Sequence, residues 1–215
     1  MTSPPVITVL VVDDDAFVRR GIADIFAATD DIRVVADVDD GDRVPAAVRM
    51  HNPHVVLMDL KMKRIGGLQA TEQLMTMPAP PRVIAMTAMD VDDLVVRAVA
   101  AGAHSFVSKD EAPDTFYLAV RAVASGNTLF SAEALRRIAA SSAAPTSPPA
   151  LSSLTDRERE VLCILASGAT TSAISRELYL SETTVKTHIT AIFGKLGVNN
   201  RVEAALSAFR AGWVT

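Results

Sequence analysis

Residues 53–67 read PHVVLMDLKMKRIGG, and the interpretation of the first half of the chain depends on this stretch. The apolar run at 55–58 has the length and composition of a buried strand, and Asp59 follows it directly. A single carboxylate in that position is commonly a solvated strand end. It indicates a functional site only if other strands end in a similar way.

Five short apolar runs precede residue 110, and segments with helical periodicity separate them. The runs are 6–12, 33–38, 55–58, 82–86 and 105–108. Strands that alternate with helices, without hairpin signals, favour a parallel sheet with helices on both faces. We therefore predict a doubly wound, five-stranded α/β domain. The second run should lie at the sheet edge, because no comparable polar residue follows it.

Charged or polar residues follow the other four runs. They are Asp13, Asp14 and Asp15 after the first run, Asp59 after the third, Thr87 after the fourth and Lys109 after the fifth. Parallel strands deliver such residues to one edge of the sheet, where ligands bind. Close carboxylate pairs repel each other by roughly 4 kcal/mol at an effective dielectric near 20, so the site requires a cation. Mg²⁺ prefers such oxygen ligands.

These residue types are suited to phosphoryl transfer. A metal ion and an ammonium group can offset charge on the transferring oxygens while a carboxylate attacks phosphorus. Asp59 is the predicted nucleophile because it stands alone on the central strand. Asp15 is predicted to cap the helix that follows it.

Four segments, VLVVDDDAFVRRGI, VVLMDLKM, VIAMT and SFVSKD, occur in this order and resemble the receiver domain of two-component response regulators. The resemblance implies a flavodoxin-like fold and a sensor histidine kinase as partner. It also implies the following roles: Mg²⁺ binding by Asp13, Asp14 and Asp59, phosphoryl acceptance by Asp59, phosphate pairing by Lys109, and switching by Thr87 and Phe106.

One part of the phosphoacceptor loop departs from the family. Receivers commonly read D-x-x-M-P after the third strand, whereas this chain has Lys63 in place of the proline and Lys61 two residues after Asp59. We hypothesise that these lysines alter phosphoryl lifetime or kinase choice. The alternative, that both simply face water, fits the sequence equally well.

The segment AASSAAPTSPPALSS, residues 139–153, interrupts all periodicity and is typical of an interdomain linker. We predict a receiver domain at 1–138, a linker at 139–150 and a second domain at 151–215. The second domain shows only helical patterns, at about 155–166, 171–178, 182–196 and 200–211. Thr155 and Glu158 should form a capping box at its first helix. The short turn between its second and third helices suggests a helix-turn-helix.

The third of these helices, ETTVKTHITAIFGKL, has an apolar stripe and an opposite polar face. The predicted stripe comprises Val185, Ile189, Ile192, Phe193 and Leu196. By spacing alone, the polar face could be solvated or could bind DNA. Residues 151–215 resemble the helix-turn-helix of the LuxR/NarL type. That resemblance implies contacts with double-stranded promoter half-sites and dimerisation of the phosphorylated protein. The resemblance implies base contacts by Lys186, Thr187 and Thr190 and DNA backbone contacts by Lys195 and Arg201. Thr183 is predicted to join this surface because its spacing places it on the same polar face.

Composition limits the remaining functions. The net charge of −4 divides into −5 for residues 1–149 and +1 for 150–215, so DNA binding must depend on the placement of charges. Cys163 is the single cysteine, which fits a reducing cytoplasm, and no apolar stretch has the length of a membrane span. We predict a DNA-binding transcriptional regulator and not an enzyme.

Two other functions are compatible with parts of the sequence. A receiver controlled by a ligand or by constitutive dimerisation usually lacks some of the residues that are intact here. A phosphatase on a similar sheet would carry D-x-D, but Lys61 occupies the third position.

Overall fold

The structure is a computed structural model that describes residues 6–88, 92–127, 151–198 and 200–214. It divides into two compact units, Met1–Ser125 and Gly126–Thr215. The predicted linker at 139–150 lies outside the described residues, so the domain limits drawn beside it remain predictions. Across the described ranges, no helix is both long enough and apolar enough to cross a bilayer.

The N-terminal unit is built on a five-stranded sheet in the order β2-β1-β3-β4-β5, with every neighbouring pair parallel. The strands are β1 (Ile7–Val12), β2 (Ile32–Val38), β3 (Val55–Asp59), β4 (Arg82–Thr87) and β5 (Ser105–Ser108). The predicted sheet is confirmed, with β2 at an edge and β3 at the centre.

Helices connect these strands and cover the sheet. They are α1 (Ala16–Ala27), α2 (Val44–His51), α3 (Gly67–Met75), α4 (Asp92–Ala100) and α5 (Pro113–Ala124), with a 3₁₀ turn at Gly41–Arg43. The Asp15 carboxylate accepts a 2.8 Å hydrogen bond from the Phe17 amide and caps α1, as predicted. Gly102 and Gly126, just past α4 and α5, have φ angles of 105° and 88°, a conformation in which glycine is favoured.

Buried side chains pack on both faces of the sheet. On one face, Leu57 of β3 belongs to a cluster with Phe26 of α1 and Val120 of α5. On the other, Met58 packs in a cluster with Leu74 of α3. Because successive residues of a strand face opposite sides, burial of both sides requires a continuous apolar run. This explains the uninterrupted apolar segment before Asp59.

Gly67 allows α3 to begin directly against the end of β3. Its amide donates to the Leu60 carbonyl at 3.2 Å. A Cβ atom at position 67 would lie 2.0 Å from the Asp59 carbonyl oxygen. The missing side chain therefore helps to fix the backbone that carries Asp59.

The C-terminal unit is helical throughout its described elements. These are α6 (Asp156–Ala166), α7 (Thr171–Glu177), α8 (Glu182–Leu196) and α9 (Arg201–Arg210). The Thr155–Glu158 capping box is present at α6. Within the predicted stripe of α8, Val185, Ile192 and Leu196 are buried, while Ile189 and Phe193 are partly exposed. The predicted helix-turn-helix is confirmed as α7 and α8.

We predict that Gly67→Ala destabilises the N-terminal unit by about 1–3 kcal/mol, because the added methyl group collides with backbone atoms that cannot move freely. Gly21→Ala is the matched control. A Cβ atom at this exposed position of α1 meets nothing within 4 Å, so the substitution should stabilise the unit by about 0.5–1 kcal/mol. Hydrogen exchange of the β3 amides in the full chain measures the free energy of opening of each variant. Equal exchange in Gly67→Ala and wild type would contradict the close packing described here.

Candidate functional site

Three carboxylates meet where β1 and β3 end. Val12 of β1 pairs in register with Met58 of β3, so the residues that follow them, Asp13 and Asp59, come side by side. One carboxylate oxygen from each of Asp13, Asp14 and Asp59 lies within 4.8 Å of the other two. Asp13 is fully buried and Asp59 is 3% exposed. We call these three residues the acid cluster.

Lys109 reaches the acid cluster from the end of β5. Its Nζ atom lies 2.7 Å from Asp13 Oδ2 and 3.1 Å from Asp59 Oδ2. The Lys109 amide donates to the Thr87 carbonyl at 2.8 Å, which fixes the base of the side chain beside β4. The sheet thus brings together the predicted acids and the predicted ammonium group.

The pKa values within this group shift for identifiable reasons. Burial raises the pKa of the Asp59 carboxyl, and the charge and hydrogen bond of Lys109 offset only part of this effect. Burial alone would lower the pKa of Lys109, but its hydrogen bond with Asp13 and the charge of Asp59 raise it overall. The pKa values of both groups can rise together because Lys109 contacts two carboxylates, whereas Asp59 shares that one lysine with Asp13.

The acid cluster fits a hard divalent cation on the chemistry of its donors. Mg²⁺ takes oxygen ligands and commonly uses one or two carboxylates together with water and phosphate oxygens. Three oxygens separated by no more than 4.8 Å can surround one such ion. Asp14 is partly exposed, which leaves a solvent-facing side for water or phosphate.

The two predicted switch residues lie on neighbouring strands. Thr87 ends β4 and is 2% exposed. Phe106 of β5 pairs in register with Ala85, two residues before Thr87, so the pleat directs all three toward one side of the sheet. Phe106 is partly buried and packs against a small cluster that includes Leu60 and Ala98.

The loop between β3 and α3, residues 60–66, makes contacts that were not predicted from the sequence. The Lys61 amide donates to Asp59 Oδ1 at 3.3 Å, and Lys63 Nζ lies 3.5 Å from Asp14 Oδ2. Asp40, at the start of the 3₁₀ turn, accepts 2.9 Å hydrogen bonds from two amides of this loop, those of Arg64 and Ile65. The Asp40–Gly41 pair signals a turn in the sequence, but it does not indicate which loop that turn holds.

A second candidate surface lies on α8 of the C-terminal unit. Four of the predicted DNA contacts are exposed there: Thr183, Lys186, Thr187 and Thr190. The Thr187 hydroxyl donates to the Thr183 carbonyl at 3.1 Å, and the Thr190 hydroxyl donates to the Lys186 carbonyl at 3.0 Å. These bonds orient the hydroxyls and leave their oxygens able to accept.

The other two predicted DNA contacts are placed differently. Lys195 Nζ donates to Glu158 Oε2 at 2.6 Å, although a third of its side chain stays exposed. Arg201 is only 5% exposed, its Nη2 donates to the Ala169 carbonyl, and burial lowers its pKa to about 10. A guanidinium held in the interior does not fit a contact with the DNA backbone, so the expectation for Arg201 is corrected to a structural role.

Comparison with known families covers both units. Residues 9–121 match the response regulator receiver domain, and residues 152–208 match the bacterial regulatory proteins of the luxR family. These ranges contain the acid cluster, Lys109 and the exposed face of α8.

Several known proteins align with this chain over nearly their whole length. The transcriptional regulatory protein LiaR of Bacillus subtilis is 37% identical over 95% of this chain and 97% of its own length. The response regulator GacA of Pseudomonas protegens is 34% identical over 97% of this chain and 98% of its own length. The crystal structure of the response regulator ChrA of a heme-sensing two-component system has a TM-score of 0.54 and 31% identity, over 97% of this chain and 99% of that one. The chain therefore belongs to the transcriptional response regulators of two-component systems, with a receiver domain followed by a luxR-type DNA-binding domain.

Proposed function

We propose that Asp59 accepts a phosphoryl group from a phosphohistidine of a partner sensor histidine kinase. An Asp59 carboxylate oxygen attacks phosphorus, the P–N bond breaks, and the histidine nitrogen leaves with the bonding electron pair and takes up a proton. The observation that carries this proposal is the position of Lys109 Nζ, within 2.7 Å of Asp13 and 3.1 Å of Asp59.

Asp13, Asp14 and Asp59 would hold Mg²⁺. When bound, the ion would offset charge on the transferring phosphoryl oxygens. Lys109 supplies a second positive charge from the end of β5. The Lys61 amide, which donates to Asp59, would also donate to a phosphoryl oxygen. Burial of Asp59 keeps bulk water from solvating the nucleophile and strengthens these interactions.

The phosphorylated state would be transmitted through Thr87 and Phe106. A phosphoryl dianion on Asp59 draws the Thr87 hydroxyl and Lys109 toward it. Phe106 then moves into the space that Thr87 leaves, because both side chains lie on the same side of neighbouring strands. This is a local charge change that biases a two-state surface of the receiver.

The output would be binding to double-stranded promoter DNA through α8. Thr183, Lys186, Thr187 and Thr190 present donors and acceptors of the kind that contact base edges and phosphates. Lys195 can contact a DNA phosphate if its ammonium group leaves the ion pair with Glu158. Since a domain with a charge near +1 releases few counterions alone, we propose that phosphorylation pairs two copies on adjacent half-sites.

We propose that the protein acts in the cytoplasm, where its kinase partner can phosphorylate it and promoter DNA is accessible. We also propose that it is not an enzyme acting on free phosphate esters. A phosphatase of this sheet type would place a second acid two residues after the nucleophile, and Lys61 stands there instead.

Asp59→Ala is expected to abolish phosphorylation by phosphoramidate with Mg²⁺, because it removes the only proposed acceptor. Intact-protein mass spectrometry measures the gain of one phosphoryl group, and DNA binding with and without the donor measures the output. Asp15→Asn is the matched control, since that residue caps α1 and lies outside the acid cluster. Phosphoryl uptake by Asp59→Ala equal to wild type would refute the assigned acceptor.

Lys186→Ala is expected to weaken binding to a selected operator by about 1–3 kcal/mol and to relax sequence preference at one base pair. Fluorescence anisotropy with DNA selected from a random library measures both effects. Lys195→Ala is the comparison variant. Loss of a phosphate contact should weaken binding evenly across sequences and reduce its salt dependence. Unchanged affinity and preference in Lys186→Ala would remove this residue from the proposed surface.

A further inference from the structure

We propose that Lys63 is a built-in competitor of Mg²⁺ for Asp14 and sets the metal affinity of the receiver. This inference rests on the proposed role of the acid cluster. It concerns the position where receivers commonly carry proline and this chain carries a cation. The contact that suggests it is the ion pair between Lys63 Nζ and Asp14 Oδ2, at 3.5 Å.

The backbone on both sides of Lys63 is fixed, although its side chain is 80% exposed. Before it, Met62 packs against the buried cluster on the α3 face. After it, the Arg64 and Ile65 amides are each held at 2.9 Å by Asp40, which is 2% exposed. The lysine is thus anchored at its base beside the site, and only the side chain is free to move.

Two different lysines form the ion pairs with the acid cluster. Lys109 contacts Asp13 and Asp59, and Lys63 contacts Asp14, the most exposed member of the acid cluster. An ion that binds Asp14 must displace the Lys63 ammonium and then remain near it. Both effects oppose binding of a divalent cation, and neither exists when the residue is uncharged.

Lys63→Met removes the charge and retains most of the side-chain length. We expect it to bind Mg²⁺ about three- to tenfold more tightly than wild type, the size expected for one solvent-screened charge beside a divalent ion. Lys63→Arg keeps the charge and should bind like wild type. Isothermal titration of the full-length protein with Mg²⁺, at low and high salt, measures these affinities without phosphorylation. The difference between Lys63→Met and wild type should shrink at high salt.

Arg33→Met is the matched control, because it also removes one positive charge. Arg33 pairs in register with Thr8 near the amino end of β1, whereas the acid cluster follows the carboxyl ends of the strands. Its Mg²⁺ affinity should equal that of wild type.

The outcomes separate this inference from the proposed function. If wild type binds Mg²⁺ and Lys63→Met binds it no more tightly, the proposed competition by Lys63 is wrong, but the metal site stands. A wild-type protein that takes up no Mg²⁺ would overturn both. Equal tightening in Lys63→Met and Arg33→Met would show an effect of net charge alone and would also overturn the specific role of Lys63.

Discussion

Mutual repulsion among three carboxylates is the constraint on which the receiver domain depends. Parallel strands β1 and β3 end side by side, so the Asp13 and Asp59 carboxylates lie close together. Asp14 adds a third carboxylate to the same site. Burial makes the ionised form of Asp59 more costly and raises the pKa of its carboxyl group. Lys109 offsets part of this cost from β5. Under the proposed function, a site with this balance would bind a divalent cation first and would then accept a phosphoryl group.

Contacts elsewhere in the domain hold the acid cluster and Lys109 in position. Burial of the sheet on both faces fixes the strand ends, the close approach at Gly67 fixes the backbone of Asp59, and the Lys109 amide ties β5 to Thr87. Thr87 and Phe106 lie on the same side of neighbouring strands. Under the proposed function, these two side chains would transmit a change of charge at Asp59 to the receiver surface.

Much of this arrangement could be predicted because its signals are local and repeated. Each strand is a short apolar run, and in a parallel sheet the residue after each run must lie at one edge. The acid cluster and Lys109 therefore followed from sequence order. The α8 stripe and the Thr155–Glu158 capping box followed from helical spacing in the same way.

Other features depend on contacts between distant segments, which periodicity does not encode. The burial of Arg201 against the Ala169 carbonyl depends on how α9 packs near the turn before α7, so a basic residue that resembled a DNA contact proved to be internal. The pairing of Lys195 with Glu158 joins residues 37 positions apart. Likewise, the hydrogen bonds from the Arg64 and Ile65 amides to Asp40 join two turns that come together only in the folded sheet.

Chemical mapping of the phosphoryl group would identify the residue that accepts it. The protein would be phosphorylated with phosphoramidate, reduced with tritiated borohydride to convert any acyl phosphate into labelled homoserine, digested and sequenced. We expect label at position 59 alone, formed with Mg²⁺ and absent when a chelator is present. Label at another aspartate, or undiminished label at position 59 in chelator, would contradict it.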